Sequence, residues 1–250
     1  MSDGPRRLAR MTYEEVAAAC ASGKGVVLMP VGSVEPHGPH LPLGTDTTIS
    51  EVACERAASM LAADGLEVVL APSLPYGVTD YARGFAGAVG VPEGALVAFL
   101  GAIVSRLVDD GWAHVCVVNN HLEPAHDAAV RASIGGLPKG RASVACPLTR
   151  RWGRTLSDEF KRGDCHAGRY ETSLVLAAGE PVGDVRGELP SLGISLAEAI
   201  RQGKSTFAEI GMDRAYTGAP SEATREEGDA MYAKLAEMIA TEVREGLVAR

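Results

Sequence analysis

Residues 25–46 read G-V-V-L-M-P-V-G-S-V-E-P-H-G-P-H-L-P-L-G-T-D. The first eight form a short apolar, β-branched run between glycines, which predicts a buried strand. The polar remainder carries Glu35, His37 and Asp46 among prolines and glycines that fix the backbone. Carboxylate oxygens and neutral imidazole nitrogens together bind divalent zinc, manganese or iron. The stretch therefore predicts a strand that ends at a metal site.

Similar strand-like runs alternate with helical ones along the whole chain. The predicted strands cover residues 25–32, 67–73, 113–119 and 142–146. The predicted helices cover residues 12–22, 47–63, 93–110, 124–134, 168–178 and 220–248, and a long loop covers 72–92. Such alternation predicts an α/β fold, a mostly parallel sheet with helices on both faces. With no repeat or linker, we expect one domain over residues 1–250.

A second pair of candidate ligands, His121 and Glu123, follows the strand at 113–119. Sheets of this kind place ligand sites beyond the carboxyl ends of their strands, where Glu35 and His37 are also expected. Five candidates exceed one tetrahedral site but suit two ions that share a carboxylate. Asp46 is the favoured bridge because a helix start favours a fixed anion. Any one of the five, taken alone, is more often a satisfied polar loop residue, whereas five together at two strand ends favour ligands.

The segment C-H-A-G-R-Y-E-T-S supplies His166 and Glu171. Because an imidazole titrates near neutral pH, we expect His166 to protonate a leaving nitrogen. Glu171 would orient His166 or support the metal site, the alternative being a helix-start glutamate that pairs with Arg169 or with backbone amides. His40 and His126 lie near the ligand segments. They would either support the ligand side chains or have surface or capping roles.

Composition excludes several classes of function. The chain has 24 basic and 32 acidic residues, a net charge of −8, and no basic run. Nucleic acid and anionic membrane are therefore not expected partners. The N-terminal segment shows no apolar leader, and the apolar runs are too short to span a bilayer. Five scattered cysteines without a C-x-x-C motif indicate a reduced, cytoplasmic protein.

Four blocks resemble the signatures of the creatininase family: the stretch at 32–46, N-N-H-L-E, H-A-G-R-Y-E-T-S and Y-T-G-A-P-S-E-A-T-R-E-E-G. The resemblance implies a creatininase-like three-layer fold, a homohexamer and two divalent ions (Zn, Mn or Fe) per chain. It also implies hydrolysis of a small amide, with a cyclic one favoured, by a hydroxide that bridges the ions. By position, it makes Glu35 and His121 ligands of one ion, His37 and Glu123 ligands of the other, and Asp46 the bridge. His166 matches the acid/base histidine, with Glu123 and Glu171 as further catalytic residues.

The blocks also depart from the family pattern. Glu123 is kept, which favours the creatininase-like version of the second block, but Asn120, Leu122 and Pro124 differ from it. Arg169 replaces the usual acidic residue, so we expect a cationic pocket mouth and an anionic amide substrate.

Trp152 is the only tryptophan near the site, where it would stack on a flat substrate or pack at the rim. The alternatives to a small-amide hydrolase are a mycofactocin-type peptidase, a formamide deformylase and a metal-containing binding protein without turnover.

Overall fold

Five parallel strands form the central sheet of the computed structural model, which describes residues 4–250. Residues 1–3 lie outside the described residues. They begin the N-terminal segment for which no apolar leader was expected. The strands are β1 (Arg6–Arg7), β2 (Gly25–Val31), β3 (Glu67–Leu70), β4 (His114–Asn119) and β5 (Ala142–Ala145). Their order in the sheet is β1-β3-β2-β4-β5, and every pair is parallel. The predicted parallel sheet is confirmed, with β1 added at one edge.

Helices cover both faces of this sheet. They are α1 (Tyr13–Ala21), α2 (Thr45–Ala63), α3 (Glu93–Asp109), α4 (Pro124–Ile134), α5 (Arg150–Gly153), α6 (Asp158–Arg162), α7 (Arg169–Ala178), α8 (Leu196–Arg201), α9 (Phe207–Ile210) and α10 (Arg225–Val248). One face packs against α2, α7 and α10, and the other against α1, α3 and α4. The predicted three-layer α/β fold is confirmed. None of the helices within residues 4–250 has the length and apolar character needed to cross a bilayer.

The central strand β2 shows why the sheet is covered twice. All seven of its residues are buried. Val26 and Leu28 contact the layer of α2 and α10, whereas Val27 and Met29 contact the layer of α1 and α3. A strand buried on both faces needs an unbroken apolar run rather than an alternating one. The sequence at 25–31 is such a run, and it ends where the polar residues of the site begin.

Helix starts follow local capping chemistry. The T-x-x-E pattern at residues 12–15 opens the helix predicted from residue 12, and Thr12 and Glu15 form a capping box at the start of α1. The helix predicted over 220–248 is instead divided: Pro220–Glu222 is a separate 3-10 turn, and Thr224 is extended and caps α10 through the amide of Glu227. The predicted start was wrong because the threonine hydroxyl, not the proline, closes the first turn of the long helix.

Candidate metal centre

Four of the five predicted ligands meet at the carboxyl edge of the sheet, and Glu171 joins them there. Glu35 and His37 follow β2, and His121 follows β4, as the alternation of strands and helices predicted. Asp46 lies in the first turn of α2 and Glu171 in the first turn of α7. All five side chains are buried. Parallel neighbouring strands end side by side, so residues far apart in sequence converge here.

Asp46 stands between the two histidines. Its Oδ1 atom lies 3.2 Å from His37 Nε2, and its Oδ2 atom lies 3.0 Å from His121 Nδ1. Glu35 Oε1 is 3.4 Å from His121 Nδ1, and Glu171 Oε2 is 3.6 Å from His37 Nε2. Two three-residue groups therefore share Asp46: Glu35 and His121 on one side, His37 and Glu171 on the other. Such sharing is what a bridging carboxylate requires.

Each histidine of the cluster has its outer ring nitrogen bonded to a backbone carbonyl. His37 Nδ1 donates to the carbonyl of Glu35 at 3.1 Å, and His121 Nε2 donates to that of Val78 at 2.7 Å. His166 Nε2 donates to the carbonyl of Pro36 at 3.1 Å. Because a carbonyl only accepts, the inner nitrogen of each neutral ring carries a lone pair that faces carboxylate oxygens.

Lone pairs facing one another in a buried site repel unless a cation or a proton lies between them. Asp46 Oδ2 is buried without an aligned hydrogen bond, although His121 Nδ1 is close. Histidine ligands whose other nitrogen donates to a carbonyl are characteristic of metal sites. The donor set of carboxylate oxygen and imidazole nitrogen fits zinc, manganese or iron. The residues present thus fit a pair of divalent cations.

The pKa values show which groups of the cluster are protonated when no metal ion is bound. Burial opposes a charged imidazole, but the carboxylates of Asp46, Glu171 and Glu35 outweigh it and raise the pKa of His37 to about 10. Burial and the neighbouring carboxylates raise the pKa of Glu171 to about 8, although His37 opposes this. Both groups therefore hold protons at neutral pH, at positions that a cation would take over.

Glu123 is not placed beside His37. Its carboxylate accepts hydrogen bonds from the backbone amides of Asp80 at 3.0 Å and Tyr81 at 3.2 Å, and burial raises its pKa to about 7. It sits at the extended residue before α4, from which its side chain reaches the loop after β3. The structure brings Glu171 rather than Glu123 to His37, and Glu123 accepts from the loop amides beside the pocket, so its role as a metal ligand stays a prediction.

His166 lies over the cluster. Its ring is 4.6 Å from that of His37 and 4.5 Å from that of Phe207, and its Nδ1 atom is 4.0 Å from Glu35 Oε1. Burial, with the nearby His37, lowers the pKa of His166 to about 4. Glu171 does not contact the His166 ring through a hydrogen bond. It accepts from the amide of Ala167, a left-handed residue (φ 49°), and so fixes the backbone beside His166.

His126 stabilises the backbone that holds His121. Its Nδ1 atom accepts from the amide of Val78 at 3.2 Å, and the carbonyl of Val78 receives the His121 hydrogen bond. A Cβ atom at Gly77 would lie 2.3 Å from His126 Nδ1, so this close approach requires glycine. His40 bonds Thr172 in α7 at 2.9 Å and is buried rather than at the surface.

Two residues expected near the pocket mouth point elsewhere. The indole nitrogen of Trp152 donates to Glu242 of α10 at 2.7 Å, so the side chain packs in the core rather than on a substrate. Arg169 pairs with Glu222 of the 3-10 turn at 3.3 Å and with Glu227 in the first turn of α10 at 3.1 Å. The expectation of a cationic pocket mouth was wrong, because these two glutamates hold the guanidinium away from the cluster.

A small pocket of about 60 Å³ opens above the cluster. Its walls include Leu196, Ile200 and Phe207, from a segment for which the sequence yielded no prediction. The available signal was short: Ser195 caps α8, and two apolar residues spaced i, i+4 then share one face. A six-residue helix carries too few periods to stand out in the sequence.

Comparison with known families gives one match over nearly the whole chain. A family model described as creatininase (creatinine amidohydrolase) matches residues 9–243. The mycofactocin precursor peptide peptidase of Mycobacterium tuberculosis is 31% identical over 227 residues, covering 84% of this chain and 80% of the relative. The creatinine amidohydrolase of Pseudomonas putida is 26% identical over 118 residues, covering 45% of this chain and 44% of the relative.

Solved structures share the fold. A crystal structure of creatinine amidohydrolase superposes with a TM-score of 0.74 at 19% identity, covering 100% of both chains. A manganese form of creatininase superposes with a TM-score of 0.73 at 20% identity, covering 97% of this chain and 99% of the other. At these identities the likeness concerns the fold, and it extends over the three layers described above.

Proposed function

Since the chain belongs to the creatininase family, a family of hydrolases, we propose that it is a metal-dependent amidohydrolase that cleaves the C–N bond of a small amide, with a cyclic amide favoured. The observation that carries this proposal is the arrangement of three histidines. Each has one ring nitrogen fixed on a backbone carbonyl and the other aimed at the carboxylates around Asp46.

Under this proposal, Glu35, Asp46 and His121 would hold one divalent ion, and His37, Asp46 and Glu171 would hold the other. Two such ions, zinc, manganese or iron, would lower the pKa of a water molecule and polarise the scissile carbonyl. The shared carboxylate of Asp46 keeps the two positions close, and the buried carbonyl acceptors keep the histidine rings from turning.

His166 is the proton donor in this proposal. Its Nδ1 atom faces the cluster while Nε2 stays on the Pro36 carbonyl, and contact with the ring of Phe207 holds the imidazole. A neutral imidazole with a free nitrogen can accept a proton as the nucleophile forms and return it to the leaving amine. Glu123 lines the same pocket with a pKa of about 7, so it is a second group able to carry a proton near neutral pH.

A second candidate is a mycofactocin-type peptidase, favoured by the 31% identity to the mycobacterial relative over 84% of this chain. Both candidates cleave an amide C–N bond and differ in the size of the substrate. The same metal cluster would serve either one.

The test is a hydrolysis screen of metal-loaded protein. Cyclic amides, formamides and short peptides are incubated with the zinc-loaded and manganese-loaded forms, and released amine is quantified. We expect turnover of at least one class, loss of that turnover after chelation, and its return on metal addition. Turnover that survives complete metal removal would contradict the proposal. Turnover of peptides alone would favour the second candidate.

We also propose a cytoplasmic homohexamer, as the resemblance implied. Two observations support assembly and a reduced compartment. The side chains of Tyr76 and Phe99 are 46% and 58% exposed on one surface beside α3. All five cysteines are free thiols, four of them buried.

A further inference from the structure

The pocket has two chemically different sides. The floor is the carboxylate and histidine cluster, and the remaining wall is apolar: Tyr81, Leu122, Pro124, Cys165, Leu196, Ile200 and Phe207. Within the described chain, the lining contains no lysine, arginine, asparagine or glutamine. The hydroxyl of Tyr81 is already engaged, since it donates to the carbonyl of Lys204 at 2.9 Å. A polar or charged substituent would find no hydrogen-bond partner on this wall and would lose its bonds to water. An apolar substituent would be favoured there, because contact with the wall removes its surface from water.

Three of these residues form one surface opposite the cluster, which we call the apolar wall: Leu196, Ile200 and Phe207. Leu196 and Ile200 are spaced i, i+4 on α8 and line the pocket together, while Ala197 between them is exposed. Phe207 begins α9 and is only 3% exposed, with its ring against His166. The wall thus reaches from the pocket mouth to the proposed proton donor.

The apolar wall is held by backbone contacts with the rest of the protein. The amide of Leu196 donates to the carbonyl of Gly163, and the amide of Phe207 donates to that of Tyr81, both at 2.7 Å. Tyr81 is in turn held by Glu123 through its own amide. These hydrogen bonds therefore connect the apolar wall to the loop that borders the cluster. The wall is therefore already ordered before the substrate binds. Binding does not have to order it, so its shape and polarity can discriminate between substrates.

We propose that the apolar wall makes the protein select amides that carry an uncharged, aliphatic or aromatic group next to the scissile bond. The inference rests on the proposed function and names its substrate class. It replaces the anionic substrate expected from Arg169, whose guanidinium is held by Glu222 and Glu227 away from the pocket.

The experiment compares matched substituents on one scaffold. Two series are used with metal-loaded protein: hydantoins with methyl, isobutyl, benzyl, carboxymethyl or aminobutyl at carbon 5, and capped dipeptides with Ala, Leu, Phe, Asp or Lys after the scissile bond. We expect kcat/KM for isobutyl or Leu to exceed that for the charged members by at least about tenfold, since each buried methylene contributes roughly fourfold.

Two variants assign the selection to the wall. Ile200→Lys places a cation on the pocket face of α8, and the control Ala197→Lys places the same charge on its exposed face. We expect Ile200→Lys to lower kcat/KM for the apolar members and raise it for the carboxylate members, while Ala197→Lys leaves the ranking unchanged. Equal kcat/KM for Leu and Asp members, or identical behaviour of the two variants, would overturn the inference.

Binding separates this inference from the proposed function. Calorimetric titration of the isobutyl and carboxymethyl hydantoins measures selection without turnover. If no amide is hydrolysed but the isobutyl compound binds more tightly, and Ile200→Lys reverses the order, the function fails and the selection stands. If amides are hydrolysed but neither kcat/KM nor binding favours apolar groups, the selection fails and the function stands.

Discussion

At the scale of single residues, the centre depends on which nitrogen of each histidine is free. The carbonyls of Glu35, Val78 and Pro36 accept the outer N–H groups, so the inner nitrogens face the carboxylates. Asp46 offers one oxygen to His37 and the other to His121, which makes it the shared residue of both proposed ion positions. The chemistry of the site is therefore set as much by backbone acceptors as by the ligands themselves.

Glu171 and Glu123 provide a residue-level test of the ligand set. Because Glu171 Oε2 lies 3.6 Å from His37 Nε2, we expect Glu171→Gln to lose about one of two ions per chain. Glu123→Gln is the matched control, since the Glu123 carboxylate is bound to two loop amides. We expect that variant to keep both ions. Elemental analysis of the two purified variants decides, and metal loss from Glu123→Gln alone would contradict this assignment.

Metal uptake should depend on pH in a defined direction. His37, with a pKa of about 10, and Glu171, with a pKa of about 8, are protonated at pH 7 in the metal-free protein. A cation must displace these protons, so affinity for Zn²⁺ or Mn²⁺ should rise from pH 6 to pH 8. Calorimetry in two buffers of different ionisation enthalpy should show release of about one or more protons per chain. Heats that do not depend on the buffer would show that no proton leaves.

At the scale of secondary-structure elements, α7 and α10 position the second half of the site. Gly228 of α10 packs so closely on α7 that a Cβ atom there would lie 1.9 Å from the Ser173 carbonyl oxygen. The same helix α7 carries Glu171 in its first turn. The closeness of the two helices thus fixes where that carboxylate stands relative to β2.

Gly228→Ala tests this contact. We expect it to lower the free energy of unfolding by about 1–3 kcal/mol, because the added methyl group meets backbone that cannot move aside. Gly94→Ala, in the first turn of α3, is the control: beyond its own helix backbone, no atom would lie within 4 Å of the added methyl group. We therefore expect no loss there and a gain of up to about 1 kcal/mol. Urea unfolding of both variants measures this, and equal effects would refute the packing argument.

The sequence predicted those elements whose patterns are local and long. The buried run at 25–31 and the capping box at Thr12 were sufficient to place β2 and α1. The sequence predicted Glu123 beside His37, where the structure has Glu171. This could not be predicted, because it depends on the tertiary contact of the Glu123 carboxylate with the loop amides. The apolar wall was missed because short helices such as α8 carry too little periodicity.

At the scale of the whole molecule, the ends of β2 and β4 and the starts of α2 and α7 converge on one edge of the sheet, and the rest of the fold supports that edge. The family match over residues 9–243 agrees with this, since it spans every element that contributes a cluster residue. That residues 1–250 form one domain stays a prediction.

Assembly into a homohexamer is the prediction that belongs to this scale. The exposed side chains of Tyr76 and Phe99 border an apolar surface groove with Leu74 and Val91. Covering such a surface in an oligomer would remove it from water. Light scattering at micromolar concentration should give six times the chain mass of 26.0 kDa. A monomer would refute the prediction.

The central claim is that the cluster around Asp46 holds two divalent ions. Metal stoichiometry tests it most directly, by elemental analysis of protein purified without chelator, with Asp46→Ala compared against Asp127→Ala. Asp127 pairs with Arg131 on α4 and makes no ion pair with any of the three cluster histidines in the described chain. We predict about two ions per chain in the wild type and in Asp127→Ala, and close to none in folded Asp46→Ala. Two ions retained by Asp46→Ala, or no metal in wild-type protein that hydrolyses amides, would contradict the claim.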